Sequence, residues 1–463
     1  MSAVHYDVLV IGGGPGGTPA AMALAGAGRR VLLVEAGSGL GGTCLFEGCI
    51  PSKIFRETAK RRLQAAHVRE FGLTGPGPQD VDIDWQRVQA RKREILAHRS
   101  QAARAQVGRL DNLELVFGRA RLTGPRTAVI EAPDEHRDVE FDNAILATGS
   151  IASRPPIDGA QLPGVLDSTG LLELESLPAS LVLIGAGPIG VEMAQIFAML
   201  GVRVTLREAM TRILGPVDAV LAGLLADRLR GDGIDVHTGV RVESIVESGD
   251  GHAVTYQYEG RRRTVQAQAA AIVAGRRPNV DGLGLDSTAV RHDAHRVKVD
   301  ANLQTGEPGI YATGDLVGNP MFAHWATAQA HALARHLMGR PTAFPRPEHN
   351  TAVIFSYPEI GMAGLTVEDA RAAGLDVEVA EYDYRGDARA QISGDPFGRV
   401  RIVYRADDRR VVGVHALVEG AADLMGEAAL IVRHELTVDQ VAAAIHPHPT
   451  LSEALGLAAL TAR

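Results

Sequence analysis

The residues of this chain best suited to chemistry are its two cysteines. Cys44 and Cys49 stand five positions apart in Gly41-Gly-Thr-Cys-Leu-Phe-Glu-Gly-Cys-Ile-Pro-Ser-Lys53, and no other cysteine occurs in 463 residues. The stretch reads as the start of a helix, where unsatisfied N–H groups and the helix dipole favour a thiolate, the nucleophilic form of sulfur. Two inert, buried cysteines are the other reading. Placement of the only pair within five positions, directly after a nucleotide-binding pattern, weighs against it. Near the other end, His446-Pro-His-Pro-Thr-Leu-Ser-Glu453 supplies an imidazole and a carboxylate. Such pairs orient a base and stabilise its protonated form. Taken alone, a histidine in a C-terminal loop is more often structural.

Elements able to position these groups are legible around them. Tyr6–Ile11 is a short apolar, β-branched run of the kind buried on both faces of a parallel sheet. Gly12-Gly-Gly-Pro-Gly-Gly17 follows, then an Ala-rich helix expected over Pro19–Gly28 and a strand over Arg30–Val34 that ends at Glu35. In such a unit Gly12 permits the tight turn, Gly14 lets backbone approach a pyrophosphate, and Gly17 allows helix and strand to pack closely. The helix N-terminus holds the phosphates, and Glu35 accepts from a ribose diol. The pattern recurs. Leu181–Ile184 leads into Gly185-Ala-Gly-Pro-Ile-Gly190, so Gly185, Gly187 and Gly190 repeat the three glycine positions. A helix to Leu200 and a strand over Val202–Leu206 follow, with Glu208 at the end. Gly12 to Glu35 and Gly185 to Glu208 both span 23 positions. One Gly-rich turn is weak evidence; two in the same setting are strong. Glu208 favours NAD, since a carboxylate there repels a 2′-phosphate, although Arg207 beside it offers the opposite charge.

Bulk properties exclude several classes. A net charge of −8 argues against a nucleic-acid partner. The basic stretch Arg87–Arg109 is the local exception and reads as a helix with Ile95, Leu96, Val107 and Leu110 inward and a solvated cationic face. No apolar run approaches the roughly 18 residues of a membrane span, and no signal peptide precedes the first strand. Two cysteines cannot form a disulfide scaffold, so a reducing, cytoplasmic location is expected.

The cysteine segment resembles the redox-disulfide motif of class I pyridine nucleotide–disulfide oxidoreductases, and its Ile-Pro-Ser-Lys ending is most similar to dihydrolipoamide dehydrogenases. Ala147-Thr-Gly-Ser150, Val191-Glu192, Gly275-Arg-Arg-Pro-Asn279, Tyr311-Ala-Thr-Gly-Asp315 and the His446–Glu453 element extend the likeness over nearly the whole chain. The resemblance implies an α/β fold of two Rossmann-like dinucleotide-binding domains plus a C-terminal α+β dimerisation domain. The expected layout is an FAD domain over 1–148, an NAD domain over 149–276, a central segment over 277–344 that completes the FAD domain, and an interface domain from 345 to 463. It implies FAD and NAD as cofactors, no metal, and a homodimer whose active site is shared between subunits. FAD contacts are then expected from Gly12, Gly14, Gly17, Glu35, Gly42, Thr43, Lys53, Thr148, Gly149, Asp315 and Ala323. Gly185, Gly187, Gly190, Glu208 and Gly275 would serve NAD. The implied catalytic set is a Cys44–Cys49 disulfide, Lys53 paired with Glu192, and His448 as base oriented by Glu453.

By the same resemblance the activity is oxidation of dihydrolipoamide or a lipoyl-protein with NAD. The alternative is an NAD(P)H-dependent reductase of another disulfide. A catalytically silent subunit of a larger complex is disfavoured because Cys44, Cys49, Lys53, His448 and Glu453 are all present. A lipoyl-carrying acyltransferase of a 2-oxoacid dehydrogenase complex is the expected docking partner. Phe46-Glu47, Pro188, Trp325 and Pro447 depart from the usual pattern and bear on which dithiol is used.

Overall fold

The computed structural model describes residues 4–75, 81–133 and 135–463. The expectation of a chain without a leader falls partly on residues 1–3, which lie outside the described residues. Two compact units are formed, each from several stretches of sequence.

The first unit comprises the chain up to Ile54, Gln86–Ser153 and Gly275–Pro345. Its centre is a seven-stranded sheet in the order Leu113–Phe117, Val31–Glu35, Val4–Ile11, Glu135–Leu146, Thr127–Ala132 and Arg119–Gly124, with Ile310–Ala312 also paired to Glu135–Leu146. Val4–Ile11 runs parallel to both of its neighbours, and Ile310–Ala312 is parallel to Glu135–Leu146. Alternation explains why these strands read as continuous apolar runs. Val8, Val10, Val31 and Leu33 enter a core with Ala20, Leu24, Ala330 and Leu333 from the helices Thr18–Gly26 and Ala323–Leu337. Leu9, Ile11, Leu32 and Val34 enter a second core with Leu122, Ile130 and Phe141. The first helix ends two residues before the position expected from sequence, because the chain turns into the left-handed region at Gly28.

The second unit comprises Phe55–Trp85, Arg154–Ala274 and Arg346–Arg463. It holds a parallel sheet in the order Asp235–His237, Arg203–Arg207, Ser180–Ile184, Ala269–Ile272 and Val165–Leu166, together with an antiparallel three-stranded sheet over residues 241–267. Past residue 345 a five-stranded antiparallel sheet runs Thr351–Ile354, Ile360–Gly364, Val411–Leu417, Arg399–Arg405, Val377–Asp383. The sequence suggested two helices beyond residue 345; five are present among the described residues. Two of the extra ones, Val367–Ala372 and Val438–Ala443, are six-residue helices started by capping boxes at Thr366/Asp369 and Thr437/Gln440. They are too short to show a periodic pattern.

Both Gly-rich turns obey one steric rule. A Cβ on Gly17 would run into Gly12 O, and a Cβ on Gly190 into Gly185 O. Within the second unit a buried charge cluster joins Arg56, on the Cys49–Ala66 helix, to the sheet domain. Arg56 donates to Phe355 O (2.9 Å), Ser356 O (2.8 Å) and Glu419 (2.8 Å), and its guanidinium lies 3.2 Å from Glu359. Burial pushes the Glu359 carboxyl up, against the Ala422 N–H and Arg56, which favour its charged form. Removing one member of a buried pair costs about 3 kcal/mol or more. Arg56→Met is therefore expected to lose about that much in denaturant unfolding at pH 7.5. Arg56 stabilises ionised Glu359, so the deficit should shrink as pH falls towards the raised Glu359 titration. A deficit that stays equal as pH is lowered from 7.5 contradicts this account.

Candidate active site

The cysteines occupy two consecutive helices. Cys44 lies in the short helix Gly42–Phe46, and Cys49 opens the helix Cys49–Ala66. Ser52 Oγ donates to Cys49 O at 3.3 Å, and Lys53 Nζ lies 3.3 Å from Ser52 Oγ. Both cysteines are thiols in this structure. The hydrogen bond with Cys49 pushes the Cys44 thiol far up; burial and the Cys49 charge add to this, while Lys53 and Arg99 oppose it.

In the first unit, predicted nucleotide residues gather at the C-terminal ends of the parallel strands, the expected ligand edge of such a sheet. Gly12 follows Val4–Ile11, Glu35 ends its strand, Thr148 and Gly149 follow Glu135–Leu146, and Asp315 follows Ile310–Ala312. Glu35 Oε2 accepts from Gly13 N at 2.6 Å and Oε1 from Gly37 N at 2.6 Å, which fixes the carboxylate beside the glycine turn. A Cβ on Gly42 would come within 2.8 Å of Gly14 Cα, so two backbones meet there with no side chain between them. Thr43 follows Gly42 in the same short helix, and Ala323 opens the Ala323–Leu337 helix. Thr148 Oγ1 donates to Asn279 O at 2.7 Å. Asp315 Oδ2 accepts from Ser150 Oγ at 2.6 Å, and Arg276 donates to Ser150 Oγ (2.7 Å) and Ser150 O (2.6 Å). Sequence reasoning missed Ser150 and Arg276 as supports, although both lie inside quoted motifs.

The second unit repeats the acid clamp. Glu208 Oε2 accepts from Ala186 N at 2.5 Å and Oε1 from Met210 N at 2.8 Å. Arg207 turns the other way. It is 2% exposed, donates to Asp235 Oδ2 at 2.6 Å and lies over the Tyr256 ring at 4.8 Å. Its charge therefore does not stand in for a 2′-phosphate partner. Gly187 has open space where a Cβ would be, and so does Gly275, in the first unit at a φ of +119°. Glu192 is buried, and its Oε1 accepts from Phe355 N at 2.9 Å.

At the C-terminal end of the second unit, His448 Nδ1 lies 2.9 Å and 3.1 Å from the two oxygens of Glu453. Thr450 N donates to Glu453 Oε2 at 2.9 Å; this bond and His448 hold the Glu453 carboxyl below its usual value. With Nδ1 committed to the carboxylate, Nε2 of the exposed imidazole is the nitrogen able to take a proton. His446 pairs separately with Glu427 at 2.9 Å. Among the described residues no cluster of three or more His, Cys, Asp or Glu could hold a metal ion, and no helix is long and apolar enough to cross a membrane.

Residues 6–330 match the pyridine nucleotide-disulphide oxidoreductase family model, and residues 351–459 match that family's dimerisation domain. The chain belongs to the pyridine nucleotide-disulphide oxidoreductases. Among curated relatives, a dihydrolipoyl dehydrogenase of Geobacillus stearothermophilus is 34% identical, covering 97% of this chain and 95% of its own. One from Bacillus subtilis is also 34% identical, with 98% and 97% covered. Among solved structures, the Cu(II) complex of RclA from Escherichia coli, an HOCl-induced flavoprotein disulfide reductase, has a TM-score of 0.87 at 27% identity over 100% of both chains.

The cofactors of this oxidoreductase are FAD and NAD(H). The residues present fit them: each clamp leaves carboxylate lone pairs for a ribose diol beside a turn that presents backbone N–H groups. Removing Arg276 strips Asp315 of its buttress, so Arg276→Met is expected to raise the FAD dissociation constant roughly tenfold or more, measured by flavin fluorescence on reconstituting apoprotein. Glu208→Gln should raise KM for NADH by a similar factor and narrow the preference over NADPH. An unchanged preference would remove Glu208 from the selection of cofactor.

Proposed function

We propose that this flavoprotein oxidises a dithiol, dihydrolipoamide or a lipoyl group on a protein, with NAD through a Cys44–Cys49 disulfide. The observation that carries this reading is the placement of the chain's only two cysteines, at the heads of consecutive helices, with Cys44 two positions past the Gly14–Gly42 backbone contact. The curated relatives called dihydrolipoyl dehydrogenase support the choice of dithiol. The reading takes residues 1–148 with 277–344 as the FAD domain, 149–276 as the NAD domain and 345–463 as the interface of a cytoplasmic homodimer. A lipoyl-carrying acyltransferase is its proposed partner.

In this mechanism His448, from the second copy of the chain, takes the proton from a substrate thiol at Nε2, while Glu453 holds the ring and stabilises the imidazolium. The substrate sulfur bonds to Cys44 Sγ as the Cys44–Cys49 bond breaks, and Cys49 leaves as thiolate. Lys53, one helical turn on, supplies a positive charge near that sulfur. The second substrate thiol then closes on the first sulfur and expels Cys44, its proton passing to Cys44 while His448 keeps the first. Two electrons and one proton now reside in the cysteine pair, and the substrate departs as a cyclic disulfide. FAD, when bound, supplies the two-electron link from the cysteine pair to NAD. Glu192, fixed by Phe355 N, provides a buried carboxylate as counter-charge in the second unit.

A second reading, reduction of another disulfide, is favoured by the likeness to RclA and by Phe46-Glu47, which put a ring and an exposed carboxylate between the cysteines. Steady-state assays of dihydrolipoamide oxidation, run with NAD and with NADP, separate the two. Fast turnover with NAD that Cys49→Ser abolishes, with flavin retained, is the expected result. Negligible turnover by wild-type enzyme whose flavin NADH reduces would move the assignment to another disulfide.

A further inference from the structure

The Trp85–Val107 helix carries five arginines, a lysine and a histidine against a single carboxylate, Glu94, in a chain of net charge −8. Glu94 is taken by Arg87 at 2.9 Å. Arg91, Arg93 and Arg99 are exposed and have no carboxylate partner among the described residues. Arg104 lies over the Phe117 ring at 5.2 Å. A solvated cationic face accounts for charge on a helix, but not for where this one sits. Gly39, five residues before Cys44, meets the helix at Ser100: a Cβ there would run into Ser100 Oγ and come within 3.0 Å of the Phe46 ring. Arg99 adjoins Ser100, and its charge reaches Cys44. The loop's own charge, Glu47, is exposed and of opposite sign.

We propose that Arg99, with the cationic helix face that carries it, selects small-molecule thiols and disulfides bearing a carboxylate near the sulfur for reaction at Cys44. The inference rests on the reading above that the Cys44–Cys49 pair exchanges with substrate. A guanidinium whose charge acts at a half-buried sulfur raises the local concentration of anionic partners and lowers that of cations, an effect that salt weakens. Neutral dithiols still react, without that advantage.

Because the chain has two cysteines only, thiol reagents report on this site alone. The holoenzyme, reduced with dithiothreitol and desalted without oxygen, is mixed with 5,5′-dithiobis(2-nitrobenzoate), which carries a carboxylate on each ring, or with uncharged 2,2′-dithiodipyridine. In either case one enzyme sulfur bonds to a reagent sulfur and releases the other half as thiolate. The second cysteine then closes the enzyme disulfide and expels the remaining half. Two electrons pass to the reagent and two protons to water. Arg99→Gln is expected to slow the carboxylate reagent roughly three- to tenfold while leaving the neutral one within about twofold. Arg99→Lys should restore most of the loss, Arg109→Gln at the far end should change neither rate, and added salt should shrink the wild-type preference. If Arg99→Gln slows both reagents alike, or neither, the proposal is overturned. If wild-type enzyme reacts with neither reagent, the exchange reading itself fails, and this proposal with it.

Discussion

A carboxylate closing a glycine turn by accepting from two backbone N–H groups is the constraint on which both nucleotide units depend. Glu35 does so with Gly13 and Gly37, and Glu208 with Ala186 and Met210. The hydrogen bonds are charge-assisted and short, and each ties the end of the second strand to the turn after the first. The turn itself is possible only because Gly17 and Gly190 add no Cβ against the carbonyl five residues earlier. Once that geometry is set, the strands must be buried on both faces, and the helices over Thr18–Gly26 and Pro188–Met199 must start where phosphates can meet their N–H groups.

The cysteine helices inherit their position from this frame. Gly42 touches Gly14 across the turn, so Cys44 is carried to the nucleotide edge by backbone contact rather than by a long side chain. Charge arranged around the pair then differentiates the two sulfurs. Cys44 shares a proton with Cys49 and is partly buried, and this outweighs the pull of Lys53 and Arg99 towards the thiolate. In the second unit an imidazole is held by a carboxylate in the same local way, at His448 and Glu453.

What could be read from the residues followed how local each feature is. Both nucleotide turns, their acids, the cysteine pair and the His448–Glu453 pair lie within about thirty consecutive positions each, so spacing and residue type expose them. The supports did not show. Ser150 and Arg276 hold Asp315 only because the chain returns to the first sheet after more than a hundred residues. Arg207 beside Glu208 looked like a competing charge; its direction is decided by Asp235, 28 residues further on. Arg56 gave no signal at all, since its partners at Phe355, Ser356, Glu359 and Glu419 are some 300 positions away or more. The short capped helices beyond residue 345 lacked the length for a periodic pattern.

The return of Ile310–Ala312 to the strand Glu135–Leu146 also orders events during synthesis. Until the ribosome has passed residue 315, the central strand Glu135–Leu146 lacks its pairing with Ile310–Ala312, and Ser150 has no Asp315 to hold. The whole stretch of residues 154–274 must be made in between. Such long-range closure slows folding and leaves a strand edge open to wrong partners. Flavin can therefore lock the first unit only after two-thirds of the chain has emerged.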